Sequence, residues 1–194
     1  MISKIHRRCT AAAACASALG ALAIATSPGL AQDYATEENE SIDVSVMTAE
    51  GENAGMVTFE QALHGVVVTA RLENLTEGPH GFHIHETGSC SPDFGAAGGH
   101  YDPLNAVHGF DSPGGYHVGD LPNIHVEADG TATADFFVPQ ITLSGADNGR
   151  YPFTLSDTDG SAVMIHAKID DYSNEPAGSS GARMACGVIV PDQR

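Results

Sequence analysis

Six histidines and one aspartate stand where their spacing could bring them to a metal ion. In Gly81-Phe82-His83-Ile84-His85 the residues alternate, so on an extended strand His83 and His85 share one face while Phe82 and Ile84 take the other. Two imidazoles about 7 Å apart along a strand can grip one ion. His100, His108, His117 and Asp120 follow in one long irregular stretch, and three histidines with one carboxylate make a closed tetrahedral set that suits zinc. His166 ends Ala162-Val163-Met164-Ile165-His166, where Val163 and Ile165 are expected to face the core and His166 to face outward like His83 and His85. One metal does not use six histidines and an aspartate, so two sites are the economical reading. A set of imidazoles with no thiolate or thioether favours copper, and the three-histidine, one-aspartate set favours zinc. Imidazole is the commonest metal ligand near neutral pH, and the chain carries 10 His against 8 Lys plus Arg.

The elements that must position these groups are strands. Ile42, Val44 and Val46 alternate with Asp43 and Ser45; Val66, Val68, Ala70 and Leu72 alternate with Val67, Thr69 and Arg71; Ala132, Ala134, Phe136 and Val138 alternate with Thr131, Thr133 and Asp135. Turn signals separate them at Glu50-Gly51-Glu52-Asn53, Thr76-Glu77-Gly78-Pro79, Ala128-Asp129-Gly130 and Asp157-Thr158-Asp159-Gly160. No longer stretch has a helical pattern, so the expected class is all-β, a sandwich or a flattened barrel. Residues 86–123 and 170–185 are too long and too rich in Gly, Pro, Ser and Asp to be tight turns, and are expected to be functional loops.

The start of the chain predicts export. Lys4, Arg7 and Arg8 precede an apolar run from Ala11 to Thr26, and small residues surround Ala31, which reads as a secretory signal over 1–31 that is cleaved and leaves no membrane anchor. Polar residues 32–41 read as a disordered lead-in to a domain over 42–194. Cleavage removes Cys9 and Cys15 and leaves Cys90 and Cys186, for which an oxidising compartment favours one disulfide over two buried thiols. The formal charge of −17 becomes about −20, with 25 acidic residues against five basic ones. So acidic a chain is repelled by phosphate backbones and anionic lipid, which argues against nucleic-acid or membrane-surface binding.

The motifs Gly81-Phe82-His83-Ile84-His85-Glu86, Gly99-His100-Tyr101-Asp102-Pro103, His117-Val118-Gly119-Asp120, Met164-Ile165-His166-Ala167 and Gly181-Ala182-Arg183-Met184-Ala185-Cys186-Gly187 together resemble the copper,zinc superoxide dismutases, especially the exported bacterial type, over about residues 42 to 191. The resemblance implies an eight-stranded antiparallel Greek-key barrel or sandwich with two long functional loops. It implies one copper per subunit on His83, His85, His100 and His166, and one zinc on His100, His108, His117 and Asp120, with His100 shared and carrying a proton during turnover. It further implies that Asp170 links His83 to His108, that Cys90 pairs with Cys186, and that Arg183 stands at the mouth of the copper site. His80 resembles the family's structural histidine, whereas His64 and His125 read as surface residues.

The activity implied is dismutation of superoxide to oxygen and hydrogen peroxide, an antioxidant defence outside the cytoplasm, in the periplasm or the extracellular space of a bacterium. The alternative is a copper and zinc buffering or delivery protein of the same fold without turnover. A zinc hydrolase fits poorly, because the three-histidine, one-aspartate set leaves no position for water. Members of the family occur as monomers and as homodimers. Family lysines beside the channel have no counterpart here: 86–123 and 170–182 contain no Lys or Arg, which leaves Arg183, with Lys168 nearby, to attract the anion.

Overall fold

The structure, a computed structural model, describes residues 40–145 and 152–194. The expected leader and nearly all of the expected lead-in lie outside the described residues, and the first strand begins at Ser41. Eight antiparallel strands form one sheet: β1 (Ser41–Thr48), β2 (Asn53–Ala62), β3 (Gly65–Leu72), β4 (Gly78–His85), β5 (Asp120–Val126), β6 (Ala132–Pro139), β9 (Ser161–His166) and β10 (Arg183–Val190). A small parallel pair, β7 (Ile141–Thr142) and β8 (Phe153–Thr154), lies outside that sheet and carries no signal in the sequence pattern.

The strand order is β5-β4-β9-β10-β1-β2-β3-β6. The edge strands β5 and β6 are successive in the chain and lie against each other, so the sheet curls into a nearly closed barrel. The connections from β3 to β4 and from β6 to β9 cross to the other half of the sheet, which makes the topology the expected Greek key. Alternation sets the two faces. Val44, Val46, Val57, Phe59, Val66, Val68, Ala70 and Leu72 point inward and are buried with Phe82, Ile84, Ile124, Val163 and Ile165.

Strands β4 and β9 break that alternation because they are covered on both sides. Phe82, Ile84, Val163 and Ile165 fill the barrel, while His83, His85, Met164 and His166 on the opposite face are also buried. Residues 86–119 and 167–182 supply the cover. The first loop is shorter than the sequence predicts, and the second has the expected length but begins and ends three residues earlier. Asp120 to Asn123, expected in the first loop, begin β5, where Asp120 pairs with His83; Arg183 to Ala185, expected in the second, begin β10, where Arg183 pairs with His166. Ladder pairing wins over the local Gly and Pro content there. His166 accordingly faces outward from the barrel, as expected, but not toward solvent, being only 3% exposed.

Within the first loop a short 3-10 turn (Phe94–Ala97) is capped by Asp93, whose side chain accepts a hydrogen bond from the Gly95 amide at 2.7 Å. Cys90 and Cys186 form a disulfide across 96 residues that fixes this part of the loop to β10. Ala97, Ala162, Met164 and Cys186 form a small apolar cluster beneath it.

Candidate metal centre

The strands and loops bring all seven sequence-predicted residues into two adjoining clusters. The ligating atoms of His83, His85, His100 and His166 lie within 4.8 Å of one another, and so do those of His100, His108, His117 and Asp120. Each group could hold a metal ion, and His100 belongs to both. The imidazoles of His83 and His100 are 4.1 Å apart between ring centres, and those of His100 and His117 are 5.4 Å apart.

The first cluster is built from rings whose outer nitrogen is already engaged. His83 Nε2 bonds Asp170 Oδ2 at 2.8 Å, His85 Nδ1 donates to the Gly98 carbonyl at 3.1 Å, and His166 Nδ1 to the Gly181 carbonyl at 3.4 Å. The inner nitrogens, His83 Nδ1, His85 Nε2, His100 Nε2 and His166 Nε2, are buried and have no hydrogen-bond partner. Buried ring nitrogens without partners cost free energy in an apoprotein. Four of them converging on one point is the donor set a cation would satisfy. Burial holds three of these imidazoles neutral: it pushes His85 well below the ordinary histidine range, His100 down to about 4 against the opposing pull of Asp120, and His166 down to about 3.

The second cluster is organised on a carboxylate. Asp120 Oδ1 lies 2.7 Å from His100 Nδ1, 3.1 Å from His108 Nδ1 and 3.2 Å from His117 Nδ1, while Oδ2 accepts the backbone N–H groups of Gly109 and His117. Burial alone would raise the Asp120 carboxyl, but the three imidazoles outweigh it and hold it far below the usual carboxylate range. For His108 burial works downward, yet its bonds to Asp120 and Asp170 carry it up to about 9; His117 is raised chiefly by its bond to Asp120. The two clusters therefore differ in kind. One presents buried, unpartnered ring nitrogens, the other gathers His108 and His117, both raised, around an anion, and both suit a cation that accepts lone pairs or displaces protons.

Local backbone explains how the carboxylates arrive. Gly119 threads between β4 and the loop, donating to the Tyr101 carbonyl at 2.8 Å and accepting from the Ile84 amide at 2.9 Å, and a Cβ there would stand 2.2 Å from the Ile84 oxygen. Only glycine allows that approach, which sets Asp120 at the head of β5. Asp170, 1% exposed, joins the clusters from behind, accepting His83 Nε2 on Oδ2 and His108 Nε2 at 3.0 Å on Oδ1. Burial would raise its carboxyl too, but His108 and His83 together draw it well below the usual range.

The first cluster opens into a cleft of about 490 Å³ whose lining includes His85, His100, His166, Glu86, Glu175 and Arg183. Arg183 donates to the carbonyls of Phe94 and Gly98, so its guanidinium is fixed at the mouth, and it is the lone Lys or Arg on that lining among the described residues. Glu175, a residue the sequence reading did not single out, accepts the His108 amide at 2.5 Å and ties the second loop to the first. A glutamate in a polar loop carries no spacing signal that would have marked it. His80 bridges the carbonyls of His166 and Thr76, both at 2.8 Å, matching its expected structural role, and His64 and His125 are exposed.

Comparison with known proteins agrees with this geometry. Residues 53–189 match the family described as copper/zinc superoxide dismutase (SODC). The chain is 46% identical over 146 residues to a Cu-Zn superoxide dismutase of Caulobacter vibrioides, covering 74% of this chain and 82% of that protein. Among solved structures it is similar to a SOD-like protein from Bacillus subtilis, with TM-score 0.70 and 39% identity over 76% of this chain and 97% of the other. It is also similar to the Cu/Zn superoxide dismutase from Brucella abortus, with TM-score 0.61 and 35% identity over 77% of this chain and 99% of the other.

Proposed function

The chain belongs to the copper/zinc superoxide dismutase family, and from that premise we propose how its residues divide the work of converting two superoxide anions and two protons to oxygen and hydrogen peroxide. Copper is assigned to His83, His85, His100 and His166, and zinc to His100, His108, His117 and Asp120, one of each per subunit. The observation that carries the assignment is the set of four buried, partnerless ring nitrogens beside a second group gathered on Asp120. When bound, copper supplies a one-electron couple and zinc a fixed positive charge.

The chain's own residues do the rest. His100 turns Nε2 to the first cluster and Nδ1 to the second, so a proton can be held at Nε2 while the Nδ1 side keeps the ring in place. The hydrogen bonds from His85 to Gly98 and from His83 to Asp170 set which nitrogen of each ring points inward. Arg183, pinned by two carbonyls, offers an anion one positive partner at the opening and orients it toward the first cluster.

The assignment of 1–31 as a cleaved export signal, and of the periplasm as destination, belongs to the same reading; the disulfide and the bacterial relatives support it. No helix among the described residues is long and apolar enough to cross a membrane. Metal analysis of the exported protein, combined with a dismutation assay, tests the proposal. Copper and zinc near one each per chain with turnover is the expected result; metal without turnover would favour the buffering protein.

A further inference from the structure

We infer that Asn123, backed by Tyr172, is a positioning residue that holds Asp170 between the two clusters and thereby sets how firmly the zinc-side residues keep their ion. The inference rests on the metal assignment proposed above. Asp170 lies between β9 and β10, in neither strand, so no ladder holds its backbone. Asn123 substitutes for one. Its side-chain oxygen accepts the Asp170 N–H at 2.8 Å, and its side-chain amide donates to the Asp170 carbonyl at 2.9 Å. A primary amide has a donor and an acceptor on adjacent atoms, which is what a two-point backbone grip requires.

Tyr172 completes the clamp. Its hydroxyl accepts the Asn123 N–H at 2.9 Å, its N–H donates to Asp170 Oδ1 at 2.7 Å, and its carbonyl accepts the Asp111 N–H at 3.0 Å, three residues beyond His108. The arrangement is tightly closed: a Cβ on Gly178 would stand 1.6 Å from Asp170 Oδ1 and 2.8 Å from His108 Nε2. Strand β5 thus anchors both carboxylates, Asp120 through its own chain and Asp170 through Asn123. Among the described residues, the hydrogen bonds of Asn123 and Tyr172 go to Asp170, Asp111 and each other, and not to a proposed ligand atom.

Asn123→Ala removes both bonds, and Asn123→Asp keeps the size and one acceptor while placing a second acceptor against the Asp170 carbonyl. Partners that orient ligating imidazoles typically govern metal affinity by 10- to 100-fold. Zinc release from the copper- and zinc-loaded enzyme to a chromophoric chelator is therefore expected to accelerate about tenfold in Asn123→Ala and at least as much in Asn123→Asp. The visible spectrum of the cobalt-substituted zinc site should shift in both. Tyr172→Phe, which loses one hydroxyl and keeps the ring, is expected to accelerate release about threefold, and this milder variant serves if the others do not fold. In an Asp170→Ala background the Asn123→Ala change should add less than twofold. Parent-like release and spectrum in Asn123→Asp, or an undiminished Asn123→Ala effect without the Asp170 carboxylate, would overturn the inference. A parent protein that takes up no zinc would overturn the metal assignment instead.

Discussion

Replacing Arg183 with alanine isolates the electrostatic difficulty of this enzyme. The substrate is an anion, and the chain carries −17. The cleft lining adds Glu86, Asp102 and Glu175, against which Arg183 is the single Lys or Arg among the described residues. Arg183 and His85 both donate to the Gly98 carbonyl, so the guanidinium is a close neighbour of the first cluster. For an anion about 6 Å from that charge, Coulomb's law gives about 0.7 kcal/mol at the dielectric of water and about 2.8 kcal/mol at an effective dielectric of 20. The geometric mean of those two values, about 1.4 kcal/mol, is about tenfold in rate. Superoxide dismutases are a standard example of charge steering, but steering here is confined to one group inside a Debye length of about 8–10 Å. Pulse radiolysis of Arg183→Ala at matched copper loading is expected to show a second-order rate constant about ten times lower. The parent rate should hold or rise as salt is raised to about 0.15 M, because screening weakens the distant repulsion before the nearby attraction. A loss of less than twofold in Arg183→Ala would refute the account of how the anion is drawn in.

Other consequences follow from the same geometry. Asp170→Ala should raise the zinc dissociation constant about 10- to 100-fold in a chelator competition while the copper-loaded rate constant changes less, because the carboxylate orients His83 and His108 without facing the cleft. With His108 raised to about 9 and His117 raised as well, zinc must displace protons, so its affinity should fall about tenfold per pH unit below 9 through His108, and more steeply still where His117 is protonated too. The first cluster, with His85 lowered, His100 at about 4 and His166 at about 3, should hold copper with little pH dependence down to about pH 5; titrations across pH that show copper leaving first would contradict this. Cys90→Ser opens a cross-link spanning 96 residues and should destabilise the metal-free protein by about 4–5 kcal/mol in urea melts. It should also slow turnover, since the loop it anchors carries the Phe94 and Gly98 carbonyls that hold Arg183.

Much of this was legible in the residues themselves. Alternation in 42–46, 66–72 and 132–138 marks strands because one face of each is buried and the other is not. The same rule is silent where both faces are covered: β4 and β9 read as candidates chiefly through their histidines, and loop-like composition continues into the first residues of β5 and β10. Histidine spacing pointed to two metals because imidazole has few other uses in such number. Residues that act through hydrogen bonds with distant backbone left no trace: Asn123 grips Asp170 from 47 positions away, and Glu175 reaches His108 from 67. No local period or composition encodes a contact of that kind. The parallel pair β7 and β8 is equally silent, at two residues each.

The central claim is that one copper in the histidine cluster, beside zinc gathered on Asp120, dismutates superoxide. Stepwise addition of copper to the zinc-loaded protein, with the superoxide decay rate followed by pulse radiolysis at each addition, tests it most directly. The rate should climb linearly, stop rising at one copper per chain, and stay at background in His166→Ala. Copper taken up to one per chain with decay no faster than free buffer would contradict it.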